Sequence, residues 1–166
     1  MIALDTNILV YAHREDSPFH EAAFRRVAEL AEGPGVWAIP WPCLHEFLAI
    51  VTHPRIYVPP TPLPGALDQV DARLESPTLA LLTESAAHWP TLRGLLSDGR
   101  ITGAQVHDAR VAALCRQNGV RELWSPDRTS AVSMDSRWST RWFTPADRAA
   151  PLRPSGRRCR SLRNQP

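Results

Sequence analysis

The chain predicts an α/β fold, a sandwich built around a mostly parallel sheet. Short apolar runs alternate with segments of helical period as far as about residue 127. A length of 166 residues suits one domain with a substantial core and is short for two.

In chain order, "MIALDTNILV" opens with a short apolar run, Ile2 to Leu4, read as a buried strand that closes on Asp5 before apolar character resumes at Ile8. Ser17 and Pro18 read as the cap and first residue of a helix through "FHEAAFRRVAELAEG", stopping near Gly33. "VWAI" (36–39) is the second strand candidate. In "PCLHEFLAIVTH", Cys43, Phe47, Ile50 and Val51 fall at helical spacing, and Pro54 ends the segment. "PRIYVPPTPLPG" carries too much proline for regular structure and reads as an extended surface loop. Helical "ALDQVDARLES", apolar "TLALL" and helical "HWPTLRGLLSDG" follow. "GAQVHDARVAALCRQNG" is the clearest helix, running from near Gly103 to Asn118-Gly119. "ELW" (122–124) is a last strand candidate and leads into "SPDR". Residues 129–166 break the pattern: they are heavy in Arg, Ser and Pro, show no sustained period, and are expected to be poorly ordered.

Composition excludes several chemistries. All 19 basic side chains are arginine, so a P-loop nucleotide site, a Schiff-base enzyme and a lysine-dependent phosphotransfer site are ruled out. Three scattered cysteines, Cys43, Cys115 and Cys159, form no C-x-x-C pair and are expected as reduced thiols. No apolar run approaches the roughly 18 residues that cross a bilayer, and Asp5 argues against a signal peptide, so the expected compartment is the cytoplasm. The net charge of +2 hides a division. Residues 1–127 hold 10 Arg against 15 acids, a net of −5, and residues 128–166 hold 9 Arg against 2 acids, a net of +7. Such a basic end is either an arm that grips nucleic acid or sequence outside the fold.

Four acids stand out. In an open parallel sheet, ligands sit beyond the carboxyl ends of the strands. Asp5 follows the first strand there and Asp127 follows "ELW". On the long helix Asp108 shares a face with Ala104, Val111 and Cys115, where it interrupts an apolar stripe. Glu46 lies one residue from Phe47 and can border the interior. Taken singly, each has a plain structural reading: a turn or helix cap for Asp5 and Asp127, a solvated helix face for Glu46. Taken together they require compensation, because two carboxylates about 4 Å apart repel by roughly 4 kcal/mol at an effective dielectric near 20. With no lysine to neutralise them, the expected partner is a divalent cation, Mg²⁺ or Mn²⁺, both of which favour oxygen ligands.

At these residues the chain resembles the PIN-domain ribonucleases, specifically the VapC-type toxins of bacterial toxin-antitoxin pairs. The matching pieces are "LDTNILVYA", "LHEFLAIVTHPRIY", "VHDARVAALCRQNG" and "ELWSPDR", in family order over residues 1–128. The resemblance implies a three-layer sandwich whose Asp5, Glu46, Asp108 and Asp127 form the acidic metal-binding and catalytic cluster of an endoribonuclease. Thr6, Asn7 and Ser125 are implied as supporting residues that orient it. It further implies in-line attack of water on an RNA phosphodiester, structured RNA such as transfer or ribosomal RNA as substrate, homodimers, and an antitoxin that occupies the site. The likeness lapses after Arg128, where "TSAVSMDSRWSTRWFTPADR" and an arginine-rich end replace the family's closing strand. Residues 129–166 therefore read as a divergent extension or the product of a shifted reading frame, with a phosphate-gripping basic tail as the alternative.

Other classes compete. A haloacid-dehalogenase-like phosphatase would want an acid at position 7, where this chain has Asn, and a lysine it lacks; a receiver domain lacks the same lysine. A catalytically inactive RNA-binding or antitoxin-binding module remains a second reading. His45 and His107 each precede a proposed acid but point about 100° away on a helix, which favours surface or core-edge roles. Trp37, Trp41, Trp89 and Trp124 are expected in the core or at a dimer contact. Arg14, Arg25, Arg26, Arg110 and Arg128 could line an RNA path.

Overall fold

A computed structural model of the protein describes residues 1–125 together with the backbone of 139–142. Five strands, β1 (Ile2–Leu4), β2 (Trp37–Pro40), β3 (Leu79–Leu82), β4 (Glu122–Ser125) and β5 (Ser139–Trp142), form one sheet in the order β3-β2-β1-β4-β5. Every pairing is parallel. Six helices connect and cover it: α1 (Thr6–His13), α2 (His20–Glu32), α3 (Trp41–Val51), α4 (Leu63–Leu74), α5 (His88–Asp98) and α6 (Gln105–Gln117). The expected α/β sandwich is therefore present.

Strand order places the site. The chain runs outward from β1 through β2 to β3, then returns to β4 on the other flank of β1. The gap between β1 and β4 at their carboxyl ends is a topological switch point, where open parallel sheets accept ligands. Asp5 lies there, its amide donating to the Trp124 carbonyl at 3.0 Å.

Most elements fall where the pattern puts them, with four differences. Residues 6–13, which the sequence reading left unassigned, form α1. Asp5 caps it in extended conformation (ψ 161°), its side chain accepting from the Thr6 amide. Because Ile8, Leu9 and Val10 are all buried, no amphipathic period betrays this helix. The second helix begins at His20, not Pro18, since Ser17 spends its hydroxyl and carbonyl on a turn with Phe19 and His20. The proline-rich loop ends earlier than expected, because Pro64 is tolerated in the first turn of α4. Finally, four residues of the segment expected to lack regular structure, Ser139–Trp142, add β5 to the edge of the sheet beside β4.

The core is continuous across both faces of the sheet. Ala3, Leu4, Trp37, Ala38 and Ile39 from the strands meet Ile8, Leu9, Phe47, Val51, Leu114 and Cys115 from the helices, all at 0% exposure. Helix α6 ends in a Schellman turn, the Val120 amide donating to Cys115 O at 3.1 Å and the Gly119 amide to Arg116 O at 3.4 Å. Gly119 sits at φ +63°, so Gly119→Ala is expected to cost about 1 kcal/mol in urea unfolding, with the midpoint lowered and the slope unchanged.

Trp37 and Trp124 are core residues as expected and Trp41 is half-buried, but Trp89 is 62% exposed on α5. Its neighbour His88 takes the buried position instead. No helix among the described residues is long and apolar enough to cross a membrane.

Candidate functional site

Two of the four singled-out acids, Asp5 and Glu46, come together at the switch point through Thr6, and a third, Asp108, lies within electrostatic range of Asp5. Asp5 ends β1 and is partly buried; Glu46 sits on the exposed face of α3; Asp108 is half-buried in the first turn of α6. Both Glu46 and Asp108 bear electrostatically on Asp5. Asp127 lies outside the described residues, although Ser125, two positions before it, is placed.

Hydrogen-bond donors converge on the Asp5 carboxylate. The Ser125 hydroxyl donates to Oδ2 at 2.6 Å, and the Thr6 amide to Oδ1 at 2.7 Å. The buried Cys43 thiol adds a weak contact to Oδ1 at 4.0 Å. The Thr6 hydroxyl donates in turn to Glu46 Oε2 at 2.6 Å. Thr6 thus ties two carboxylates from elements 40 residues apart through its two donors. Burial and parallel strand pairing make this possible. Ser125 ends β4, whose Trp124 pairs with Leu4 immediately before Asp5, so register alone carries the Ser125 hydroxyl to the acid.

The electrostatics are those of a site that wants positive charge. Burial pushes the Asp5 carboxyl above its ordinary value. The Ser125 hydroxyl and the Thr6 amide pull it back, and Glu46 and Asp108 add repulsion. Three of the arginines proposed for an RNA path are engaged elsewhere: Arg14 with Asp16, Arg26 with Glu29 and Arg110 with Glu84. Arg14 also lies over the Tyr57 ring at 4.1 Å. These three candidates for an RNA path are therefore partly occupied.

The donor set is all carboxylate oxygen. Among the described residues no three His, Cys, Asp or Glu side chains close into a ready-made cage. A hard cation that keeps several waters and takes one or two carboxylates fits such a set, whereas a zinc site built on His and Cys does not. His45 and His107 are exposed, with His45 stacked on Trp41 at 5.6 Å, so neither joins the acids.

The sequence reading missed Cys43 as a neighbour of the site. Its only signal was its position one helical turn before Glu46. Both Cys43 and Cys115 are free and buried. Burial first and the Asp5 charge second hold the Cys43 thiol well above its usual range and push Cys115 up to about 12. They stay protonated, as expected of reduced thiols; Cys159 lies outside the described residues.

Comparison with known proteins agrees with this fold. The PIN domain family matches residues 2–139, eleven residues past Arg128. Ribonuclease VapC43 of Mycobacterium tuberculosis is 36% identical over 139 residues, covering 83% of this chain and 93% of its own length. Ribonuclease VapC48 of the same organism is 32% identical over 124 residues, covering 75% and 86%. Among solved structures, VapBC2 from Rickettsia felis, bound to a DNA fragment from its promoter, aligns with a TM-score of 0.62 at 17% identity over 87% of this chain and all of that one. Mycobacterium tuberculosis VapC20, described as a sarcin-ricin loop cleaving toxin, aligns at 0.58 and 16% identity over 80% and 95%. A parallel sheet carrying acids at its switch point, a family match over most of the length and relatives above 30% identity together assign the chain: it belongs to the PIN-domain family.

Proposed function

We propose that this PIN-domain protein is a divalent-metal-dependent endoribonuclease, a toxin of the VapC type that cleaves structured RNA and is neutralised by a cognate antitoxin. The observation that carries the reading is the acidic end of the switch point, where Thr6 links Asp5 to Glu46, Ser125 holds the Asp5 carboxylate, and Asp108 bears on Asp5 electrostatically. The relatives named as VapC ribonucleases support the chemistry, and neighbours solved as toxin-antitoxin complexes support the partner.

Asp5, Glu46 and Asp108 would hold the cation, with Asp127 as the fourth candidate acid. When bound, Mg²⁺ or Mn²⁺ supplies a nucleophile near neutral pH and offsets charge on the phosphodiester. The chain's own residues do the rest. Ser125 and Thr6 fix the Asp5 carboxylate so that both oxygens keep one orientation, and the Thr6 hydroxyl fixes Glu46. Ser125 is fully buried, so its hydroxyl holds Asp5 without competition from solvent. Asn7, the next residue of α1, is a further candidate support. The reading places the protein in the cytoplasm, as a homodimer.

The test is cleavage of labelled transfer and ribosomal RNA by the purified chain. Activity is expected with Mg²⁺ or Mn²⁺, lost in EDTA, restored by the cation and inhibited by the antitoxin. A chain that binds the antitoxin but never cuts RNA with either cation would favour the inactive-module reading. Ser125→Ala is expected to lower kcat roughly 10- to 100-fold and to raise the cation concentration needed for half-maximal rate. Unchanged values for both would remove Ser125 from the site.

A further inference from the structure

Helix α3 begins on the rim that holds the acids. Its first residue, Trp41, follows Pro40 at the carboxyl end of β2, and β2 is the parallel neighbour of β1, whose own carboxyl end carries Asp5. Two aromatic side chains meet on the opening turns of this helix. Trp41 and His45 are four residues apart and share a face, and their rings lie 5.6 Å apart at 32°, within the range of offset aromatic pairs. The indole is half-buried and packs against the core, whereas His45 is exposed.

Among the described residues the His45 ring makes no hydrogen bond or ion pair; Trp41 backs it, and the rest is open to solvent. The next residue, Glu46, lies about 100° further round the helix. Its Oε2 accepts from the Thr6 hydroxyl, and the Thr6 amide donates to Asp5. The exposed ring therefore stands one residue from the linked carboxylates at which cleavage is proposed. The body of the chain has few means of holding RNA by its phosphates: residues 1–127 carry a net of −5, lysine is absent, and Arg14, Arg26 and Arg110 are engaged with acids. Affinity must then come in part from the bases. Unpaired bases stack on aromatic side chains, histidine among them.

We propose that His45, backed by Trp41, is a stacking platform for an unpaired RNA base beside the scissile phosphate. The inference rests on the endoribonuclease reading of the acids and adds to it a contact that selects RNA whose bases are unstacked near the cut. A base laid on the imidazole continues the stack that the indole begins. Because stacking is indifferent to the hydrogen-bonding edges of a base, the platform favours unpaired nucleotides over paired ones without reading a sequence. If His45 served only to shield the indole from water, its removal would leave RNA binding untouched.

Binding of fluorescein-labelled oligomers of about 12 nucleotides to the full chain, followed by anisotropy in EDTA at one fixed low salt concentration, tests this. The probes are oligouridylate and a ribose-phosphate chain of equal length that lacks bases. The parent is expected to hold oligouridylate at least about tenfold more tightly than the abasic chain. His45→Ala should remove most of that factor and leave binding of the abasic chain unchanged, while His45→Phe, which keeps a ring without its nitrogens, should restore it. Since His45 is exposed, both variants are expected to fold as the parent does, which circular dichroism checks. Equal parental affinity for the two chains, an equal loss on both in His45→Ala, or no recovery in His45→Phe overturns the proposal. The binding test involves no cleavage. A chain that cuts RNA yet shows no base preference sinks the platform alone, and a preference lost in His45→Ala supports the platform even in a chain that never cuts, where only the nuclease reading fails.

Discussion

Asp5→Asn is expected to abolish RNA cleavage while raising the thermal stability of the metal-free protein. The side chain keeps its shape: an amide oxygen can still accept from Thr6, and the amide nitrogen can donate to the Ser125 oxygen. What disappears is the negative charge that the proposed cation would need. The rate should fall by at least about a thousandfold, equivalent to about 4 kcal/mol of transition-state stabilisation.

The gain in stability follows from the direction of the Asp5 shift. Its folded pKa lies above the ordinary 3.8 because of burial and its acidic neighbours. The folded state therefore binds the proton more tightly than the unfolded chain. Stability from this group is complete below the unfolded value, falls as pH rises through the interval between the unfolded and folded values, and stays reduced above it. At neutral pH an ionised Asp5 without a cation weighs against folding, and Asn removes that penalty. Thermal melts with EDTA and with Mg²⁺ check both halves. The variant should melt higher than the parent in EDTA, and Mg²⁺ should raise the melting temperature of the parent alone, since ligands that bind the folded state stabilise it. A variant that cuts RNA at the parental rate would remove Asp5 from the chemistry and point to a contaminating nuclease.

Phe47→Ala should produce the largest loss of stability among single substitutions near the site. Phe47 is fully buried on α3, one residue from Glu46. Its ring meets His13 edge to face at 5.5 Å and lies beneath Arg73. Truncation leaves a cavity at the junction of α1, α3 and α4, and such deletions cost about 3–5 kcal/mol. Against a total of about 5–15 kcal/mol that is a large share. It should lower the melting temperature by roughly 6–20 °C in a chain of this size. Urea unfolding followed by circular dichroism measures it; a loss under 1 kcal/mol would mean that the surrounding side chains collapse into the space. Phe47→Leu, which retains most of the apolar volume, should fall well short of the alanine loss.

Local information carried much of this architecture. Alternation of short apolar runs with helical segments gave the fold class. Gly33, Pro54 and the Asn118-Gly119 pair marked where α2, α3 and α6 end, because each acts through its own backbone. Helix α1 stayed hidden, since a helix buried on nearly all sides has no polar face to report its period. Trp89 was equally illegible: an aromatic side chain is apolar whether the fold covers it or not, and only the packing of α5 against α6 turns His88 inward and leaves Trp89 outside.

By itself, then, the sequence determined the class of fold, the order of most elements and the identity of the acids worth attention. The tertiary structure alone decided that Thr6 links Asp5 to Glu46, that Asp108 comes within electrostatic range of Asp5, that Ser125 and Thr6 grip the Asp5 carboxylate, and that Cys43 lies behind it. Propensity and period act over a few residues. Strand order and parallel register, in contrast, fix which atoms become neighbours across as many as 120 positions, as between Asp5 and Ser125, and no local pattern encodes that distance.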